Sequence, residues 1–245
     1  MTTLSVNLNK IALLRNSRGR DFPNLLHFAE KFIDLGVKGI TVHPRQDERH
    51  VRVQDVYDLR SFLKDKEVEF NVEGYPSESF LRLIEETHPT QATLVPDTPG
   101  QLTSDHGWEL PKHNVFLAQT CKRITDAGIR CALFLDPDLN LVREVTKTGT
   151  DRIELYTESF AQSFGKPDND IILENYRKAA EEAQRLGLGV NAGHDLDSQN
   201  LGKFLSIAGI LEVSIGHVLT VECIERGIEA VTAQYLSICE SSATP

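Results

Sequence analysis

Short runs rich in β-branched and aromatic residues recur at positions 4–9, 39–43, 68–73, 91–95, 130–135, 152–156, 189–192 and 212–215. Between them the apolar residues take up helical spacing. Leu25, Phe28, Ala29, Phe32 and Ile33 make one stripe, and Val56, Leu59, Phe62 and Leu63 another. Ser77 is placed to cap a helix that carries Phe80, Leu81 and Ile84 inward, and Asp170 to cap one carrying Leu173, Tyr176, Ala180 and Ala183. Gly187 would end that second helix. Ile224, Ile228, Val231 and Tyr235 stripe the last. Eight such strand-then-helix units in 245 residues predict an α/β protein, a single-domain (β/α)8 TIM barrel over residues 1–240. Residues 241–245 read as a frayed tail. A doubly wound open sheet is the alternative. It would carry a glycine-rich turn after its first strand, and Asn9-Lys10-Ile11-Ala12 contains no glycine.

Composition narrows the function classes. With 26 Lys+Arg against 36 Asp+Glu the formal charge is −10, which repels nucleic acid and anionic membrane surfaces but leaves room for a local basic pocket. The four cysteines form no close pair and read as reduced core thiols. The first residues lack a basic segment followed by an apolar run, and no stretch approaches the ~18 apolar residues of a membrane span. A cytoplasmic location is the expectation.

In a barrel of this kind the C-terminal strand ends and the loops after them build one mouth. Here those ends carry Asn7 and Asn9, His43 and Arg45, Glu73, Asp136, Glu154 with Thr157, Asn191 with His194, and Gly216 with His217. Such convergence of hydrogen-bonding groups is expected of a site. Each also has a plainer reading: His43 as a core histidine, Arg49 and His50 as solvated loop residues, Asp136 as the start of the next helix. A carboxylate at the buried end of a strand, as at Glu73, costs free energy unless it is paired or working. Asn191-Ala192-Gly193-His194 sets open backbone beside an imidazole. Ser214-Ile215-Gly216-His217, ahead of a helix, offers backbone N–H groups suited to phosphate. Arg15, Arg18 and Arg20 follow the first strand and point to a ligand, since guanidinium groups fork onto phosphate. The segment 96–112, with three prolines and two glycines, is long enough to serve as a lid.

Histidine facing glutamate suits proton transfer near neutral pH. A metal site drawn from His43, Glu73, Glu154 and His194 competes, although the chain has no His-x-x-x-His pair. A metal-dependent barrel lyase or isomerase acting on a sugar phosphate, and a non-catalytic phosphate-binding barrel, are the rival functions.

The motifs Val6-Asn7, Leu14-Arg15-Asn16-Ser17-Arg18-Gly19, Gly39-Ile40-Thr41-Val42-His43, Arg45, Arg49-His50, Asn191-Ala192-Gly193-His194 and Ile215-Gly216-His217 together resemble the pyridoxine 5′-phosphate synthase family. The resemblance spans the first strand to the last helix. It implies a barrel that condenses 1-deoxy-D-xylulose 5-phosphate with 3-amino-2-oxopropyl phosphate, releasing inorganic phosphate and water. It also implies no metal or organic cofactor, a cytoplasmic location and a homo-octamer. By that resemblance His43 and Glu73 are general bases, His194 is the proton donor and Glu154 stabilises transition-state charge. Asn7, Arg18, Arg45, His50, Thr103, Gly216 and His217 match positions that hold the two phosphorylated substrates. Two further substrate-holding positions depart from the family pattern. Asn9-Lys10 stands where Asp-His is common, and Asp195 where glycine follows the catalytic histidine.

Overall fold

Eight parallel strands close on themselves in sequence order: β1 (Thr3–Asn7), β2 (Gly39–Val42), β3 (Glu69–Gly74), β4 (Gln91–Leu94), β5 (Arg130–Leu135), β6 (Arg152–Tyr156), β7 (Gly189–Gly193) and β8 (Ile210–Ile215). The structure is a computed structural model that describes residues 1–97, 100, 101 and 103–241. Pairing of β8 back onto β1, with Leu4 opposite Val213 and Val6 opposite Ile215, completes a single-domain (β/α)8 barrel and leaves no open edge. The doubly wound alternative is thereby excluded.

Helices follow every strand. After β1 come α1 (Asn9–Asn16) and α2 (Leu25–Asp34), after β2 α3 (Val53–Leu63), after β3 α4 (Glu78–Thr87) and after β4 α5 (Asn114–Asp126). Then β5 is followed by α6 (Leu139–Val145), β6 by α7 (Glu158–Ser163) and α8 (Asn169–Arg185), β7 by the short α9 (Leu201–Phe204), and β8 by α10 (His217–Arg226) and α11 (Ile228–Ser241). Among the described residues no helix is long and apolar enough to cross a membrane.

Strand side chains alternate, so each strand has an outer and an inner row. The outer row is apolar: Leu4, Val6, Ile40, Val42, Phe70, Val72, Leu133, Leu135, Ile153 and Leu155 are buried against the helices in one continuous core. The inner row is polar and just as buried, with Ser5, Thr41, Asn71, Gln91, Thr93, Glu154, Asn191, Glu212 and Ser214. Barrels of this class usually fill that space with bulky branched side chains. Here hydrogen bonds fill it instead, Ser5 Oγ to Thr41 Oγ1 at 2.7 Å, Thr93 Oγ1 donating to Asn71 Oδ1 at 3.0 Å and Asn191 Nδ2 to Gln91 Oε1 at 3.2 Å. Towards the N-terminal end, Arg130 Nε donates to the same Gln91 oxygen at 2.8 Å and Arg152 Nη1 to Asn191 Oδ1 at 3.1 Å.

Several local expectations need correction. Residues 8 and 9 are not strand: α1 begins at Asn9, because Asn7 Oδ1 accepts the Asn9 N–H at 3.0 Å and turns the chain at once. Asp136 does not start a helix. Asp138 caps α6 by accepting the Asn140 and Leu141 N–H groups, while Asp136 accepts the Gly107 N–H. Asp170 lies in the first turn of α8 and not at its cap. Gly227, at φ +90°, splits the last stripe between α10 and α11, and Ile224 is 75% exposed. Ser77 does cap α4, accepting the Phe80 N–H at 3.2 Å, and Gly187 does follow α8 in a left-handed conformation. Of the expected tail, Ser241 is helical and residues 242–245 lie outside the described residues.

Candidate active site

The C-terminal mouth is built from strand ends. β1 delivers Asn7, and the first turn of α1 delivers Asn9, whose Oδ1 accepts the His43 backbone N–H at 2.9 Å. That bond fixes the point where β2 ends and sets His43 facing Glu73 at the end of β3, with Nδ1 3.9 Å from Glu73 Oε2. Asn7 Nδ2 donates to the same carboxylate oxygen at 3.4 Å. Burial pushes His43 well below the usual histidine range, helped by Arg45, His50 and Arg49. Burial likewise pushes Glu73 up to about 8, helped by Asp97 and Glu212. At neutral pH the pair is therefore a neutral imidazole beside a carboxylic acid, and not an ion pair.

Glu154 lies on β6, 3% exposed, and its Oε2 meets no hydrogen-bond partner among the described residues. Burial, with Glu73 and Glu212 nearby, holds it well above the carboxylate range. The neighbouring β7 leaves room for it only because residue 193 is glycine. A Cβ there would stand 2.1 Å from Glu154 Oε1. Immediately afterwards the backbone of His194 adopts φ +87°, a conformation rare for any residue with a side chain. His194 Nδ1 is 2.8 Å from Asp195 Oδ2 and Nε2 is 2.9 Å from Thr103 Oγ1. An ionised carboxylate can only accept, so Nδ1 carries the proton, and Nε2 accepts from Thr103 while the ring is neutral. Asp195 is held below the usual carboxylate range by this bond and by the charges of His194 and His217. It is thus placed to steady an imidazolium at His194.

Two further features suit anions. Gly216 precedes α10, and among the described residues no side chain caps the helix there, which leaves its first backbone N–H groups to a ligand. A Cβ at Gly216 would stand 3.0 Å from Asn7 Cβ, which makes close backbone approach the reason for glycine there. Two strands further round the same arc, Arg45 lines a cavity of about 520 Å³ together with His43, Arg49 and Asp97. Its guanidinium donates to Asp97 Oδ2 at 2.5 Å and to the Gln101 carbonyl at 3.1 Å. Segment 96–112 is thus fastened to both sides of the mouth, by Arg45 at one end and by the Thr103–His194 contact further on. Residues 98, 99 and 102 of that segment lie outside the described residues. Among the described residues no three His, Cys, Asp or Glu side chains come together so as to hold a metal ion.

Residues 4–241 match the family described as pyridoxal phosphate biosynthesis protein PdxJ. The chain belongs to this family. It is 48% identical over 236 residues to the pyridoxine 5′-phosphate synthase of Porphyromonas gingivalis, covering 96% of this chain and 98% of that one. It is 46% identical over 239 residues to the enzyme of that name from Christiangramia forsetii, covering 97% and 99%. Among solved structures it resembles thiamine phosphate pyrophosphorylase from Pyrococcus furiosus, with a TM-score of 0.63 at 14% identity over 99% of this chain and 97% of that one. It also resembles 3-keto-L-gulonate-6-phosphate decarboxylase from Vibrio cholerae, with a TM-score of 0.66 at 10% identity over 99% of both chains. These two likenesses concern the fold alone.

The PdxJ-family mouth gathers most of the residues singled out from sequence. Asn7, Asn9, His43, Arg45, Glu73, Thr103, Glu154, His194, Asp195 and Gly216 are linked by the contacts above. His50 is buried rather than solvated. Its Nδ1 accepts the Val51 N–H at 2.9 Å, and burial with Arg45 and Lys10 lowers it to about 4, so it is neutral at pH 7. Lys10 thus acts on His50 through its charge. His217 is exposed at the start of α10. Arg18 stands apart within this chain, exposed on a second cavity with Leu14, Arg20 and Phe22. Arg15, expected to face a ligand, is instead 3% exposed and forked onto Asp55 at 2.6 and 2.8 Å. It ties α1 to α3. Sequence reading passed over Asp97, Gln101 and Tyr156. Asp97 sits four residues beyond Thr93 in an already polar loop, and the buried partner that makes it matter, Arg45, is remote in sequence.

Proposed function

We propose that this PdxJ-family chain is a pyridoxine 5′-phosphate synthase, condensing 1-deoxy-D-xylulose 5-phosphate with 3-amino-2-oxopropyl phosphate to pyridoxine 5′-phosphate, phosphate and water. The observation that carries the reading is that one mouth holds two separate histidine–carboxylate pairs, His43 with Glu73 and His194 with Asp195. Imine formation, enolisation and dehydration need protons removed at some atoms and delivered at others, and two pairs of opposite character provide for both. His43, kept neutral, and Glu73 serve as bases. A cationic amine brought beside Glu73 favours its ionised form and draws the proton off. His194, steadied by Asp195, serves as the proton donor. Glu154, close to Glu73 and without a partner at Oε2, faces the cationic character that develops at an imine nitrogen.

The same reading has the substrate phosphates held by the N–H groups at Gly216 and His217, by Arg45 and His50, and by Asn7, Asn9, Lys10 and Thr103 around them, with Asp195 beside the substrate as the partner of His194 and Arg18 on a separate cavity of this chain. A phosphate reaching Arg45 competes with Asp97 for the guanidinium, which ties segment 96–112, read as a lid, to substrate binding. The catalytic unit spans residues 1–240. It works in the cytoplasm as a homo-octamer, and the exposed Leu14 and Phe22 beside Arg18 and Arg20 offer a face for a second copy. Mixing the purified protein with both substrates and following pyridoxine 5′-phosphate by absorbance and mass tests the activity. No product, with the fold intact, would leave a phosphate-binding barrel. Loss of product on exhaustive chelation would favour the metal-dependent rival. Sedimentation of the same sample tests the octamer.

A further inference from the structure

Inside the mouth, apart from the main core, three apolar side chains form a cluster of their own: Val95, Phe134 and Tyr156, exposed by 2%, 3% and 7%. They follow β4 and lie on β5 and β6. Their neighbours Leu94, Leu133, Leu135 and Leu155 belong to the outer core, so alternation turns these three inward. The rings of Phe134 and Tyr156 are 5.3 Å apart at 50°. Tyr156 meets the His194 ring edge-on at 5.1 Å, and its hydroxyl is already engaged with Glu158 at 2.5 Å. An apolar plate whose one polar group is engaged therefore borders the reacting centre, in a barrel whose inner row is otherwise mostly polar. Nothing in the proton transfers assigned above uses it.

Its place in the closed sheet is informative. The groups assigned to phosphate, Gly216 with His217 after β8, Asn7 and Lys10 after β1, and Arg45 with His50 after β2, occupy one arc of the mouth. In an eight-stranded ring β4, β5 and β6 lie across from β8, β1 and β2. A substrate anchored by its phosphate on the first arc presents its other end to the second. Of the two substrates in the reading above, only the deoxyketose ends in a methyl group opposite its phosphate. In the product that methyl lies across the ring from the carbon bearing the phosphorylated arm.

We infer that Val95, Phe134 and Tyr156 form the pocket for this methyl group and so select the 1-deoxy sugar phosphate over its 1-hydroxy counterpart. The inference rests on the synthase reading. A terminal hydroxyl placed there would lose its water and find at most the lone pair of a tyrosine oxygen whose proton is already given to Glu158, because the other two side chains have no partner to offer.

The test compares kcat/KM for 1-deoxy-D-xylulose 5-phosphate and D-xylulose 5-phosphate. An apolar pocket rejects an added hydroxyl by about a hundredfold, and that ratio is expected of the parent protein. Val95→Thr keeps the shape and adds a hydroxyl partner, and Phe134→Tyr adds another at the far wall. Each should narrow the ratio about tenfold, chiefly by improving use of the hydroxylated sugar, while circular dichroism and melting stay at parental values. Absence of turnover of either sugar by the parent overturns the synthase reading and this inference with it. Turnover of both without discrimination, or discrimination unchanged in both folded variants, overturns the inference alone.

Discussion

Replacing Glu73 by glutamine should make the protein more stable and nearly inactive, and the stability gain should depend on pH in a direction the burial dictates. The carboxyl is raised from 4.5 to about 8 in the fold. Between those values the folded chain binds a proton that the unfolded chain releases, so stability falls as pH rises through this window and levels off above it. At about 1.4 kcal/mol for each tenfold in the equilibrium, the burden is negligible near pH 4.5, roughly 3 kcal/mol at pH 7 and 4–5 kcal/mol above pH 8. The side chain is only 13% exposed, so solvent relieves little of this. Glutamine keeps the shape and the contact with Asn7 but has no proton to lose. The difference in unfolding free energy between variant and parent, from denaturant titrations at pH 5, 7 and 9, should therefore widen in favour of the variant. Any constant offset from seating the amide leaves that trend intact. Turnover should meanwhile drop about a hundredfold with loss of the base. A difference that does not change with pH, or that narrows towards pH 9, would refute the assignment of a buried, proton-holding Glu73.

Other outcomes follow from individual contacts. Asp195→Asn should lower turnover about tenfold, because the His194 imidazolium loses its counter-charge; steady-state kinetics check this. Gly216→Val should raise KM for a phosphorylated substrate well above the effect of His217→Ala, since the backbone donor survives in the second variant. Gly193→Ala should destabilise the barrel by about 1–3 kcal/mol through collision with Glu154, and the added Glu154→Ala change should restore part of the loss in melting experiments. Lys10→Ala should raise KM for the deoxyketose phosphate at low salt before it lowers turnover, with the effect shrinking as salt is added. An alanine variant equal to the parent at low salt would make Lys10 a surface residue.

The strands were legible because β-branched runs are short, buried and evenly spaced, and six of the eight end within one residue of their expected close at both ends. What escaped depends on partners remote in the chain. The first turn of α1 carries no side-chain cap on its own N-cap residue, Leu8, and starts instead from the side chain of Asn7. Arg15 looks like Arg18 in sequence, and only the packing of α1 on α3 brings Asp55 to it and makes it structural. Arg45 was legible as a basic group at a strand end, but its link to Asp97, and through it to segment 96–112, was not. Asp195 was visible as a departure from the family pattern. Its bond to His194 follows from the left-handed backbone at His194, which no local propensity announces.

The polar inner row of the barrel separates two kinds of selection within single strands. Along β3, Phe70 and Val72 hold the sheet to its helices, while Asn71 and Glu73, one residue away from each, face the barrel interior, where Glu73 meets His43. A substitution scan should therefore alternate with a period of two, abundance falling at even positions of this strand and turnover falling at odd ones. Such a wall allows the vessel and its contents to evolve at different rates. New reactions could be tried on the inside while the outside keeps the protein folded.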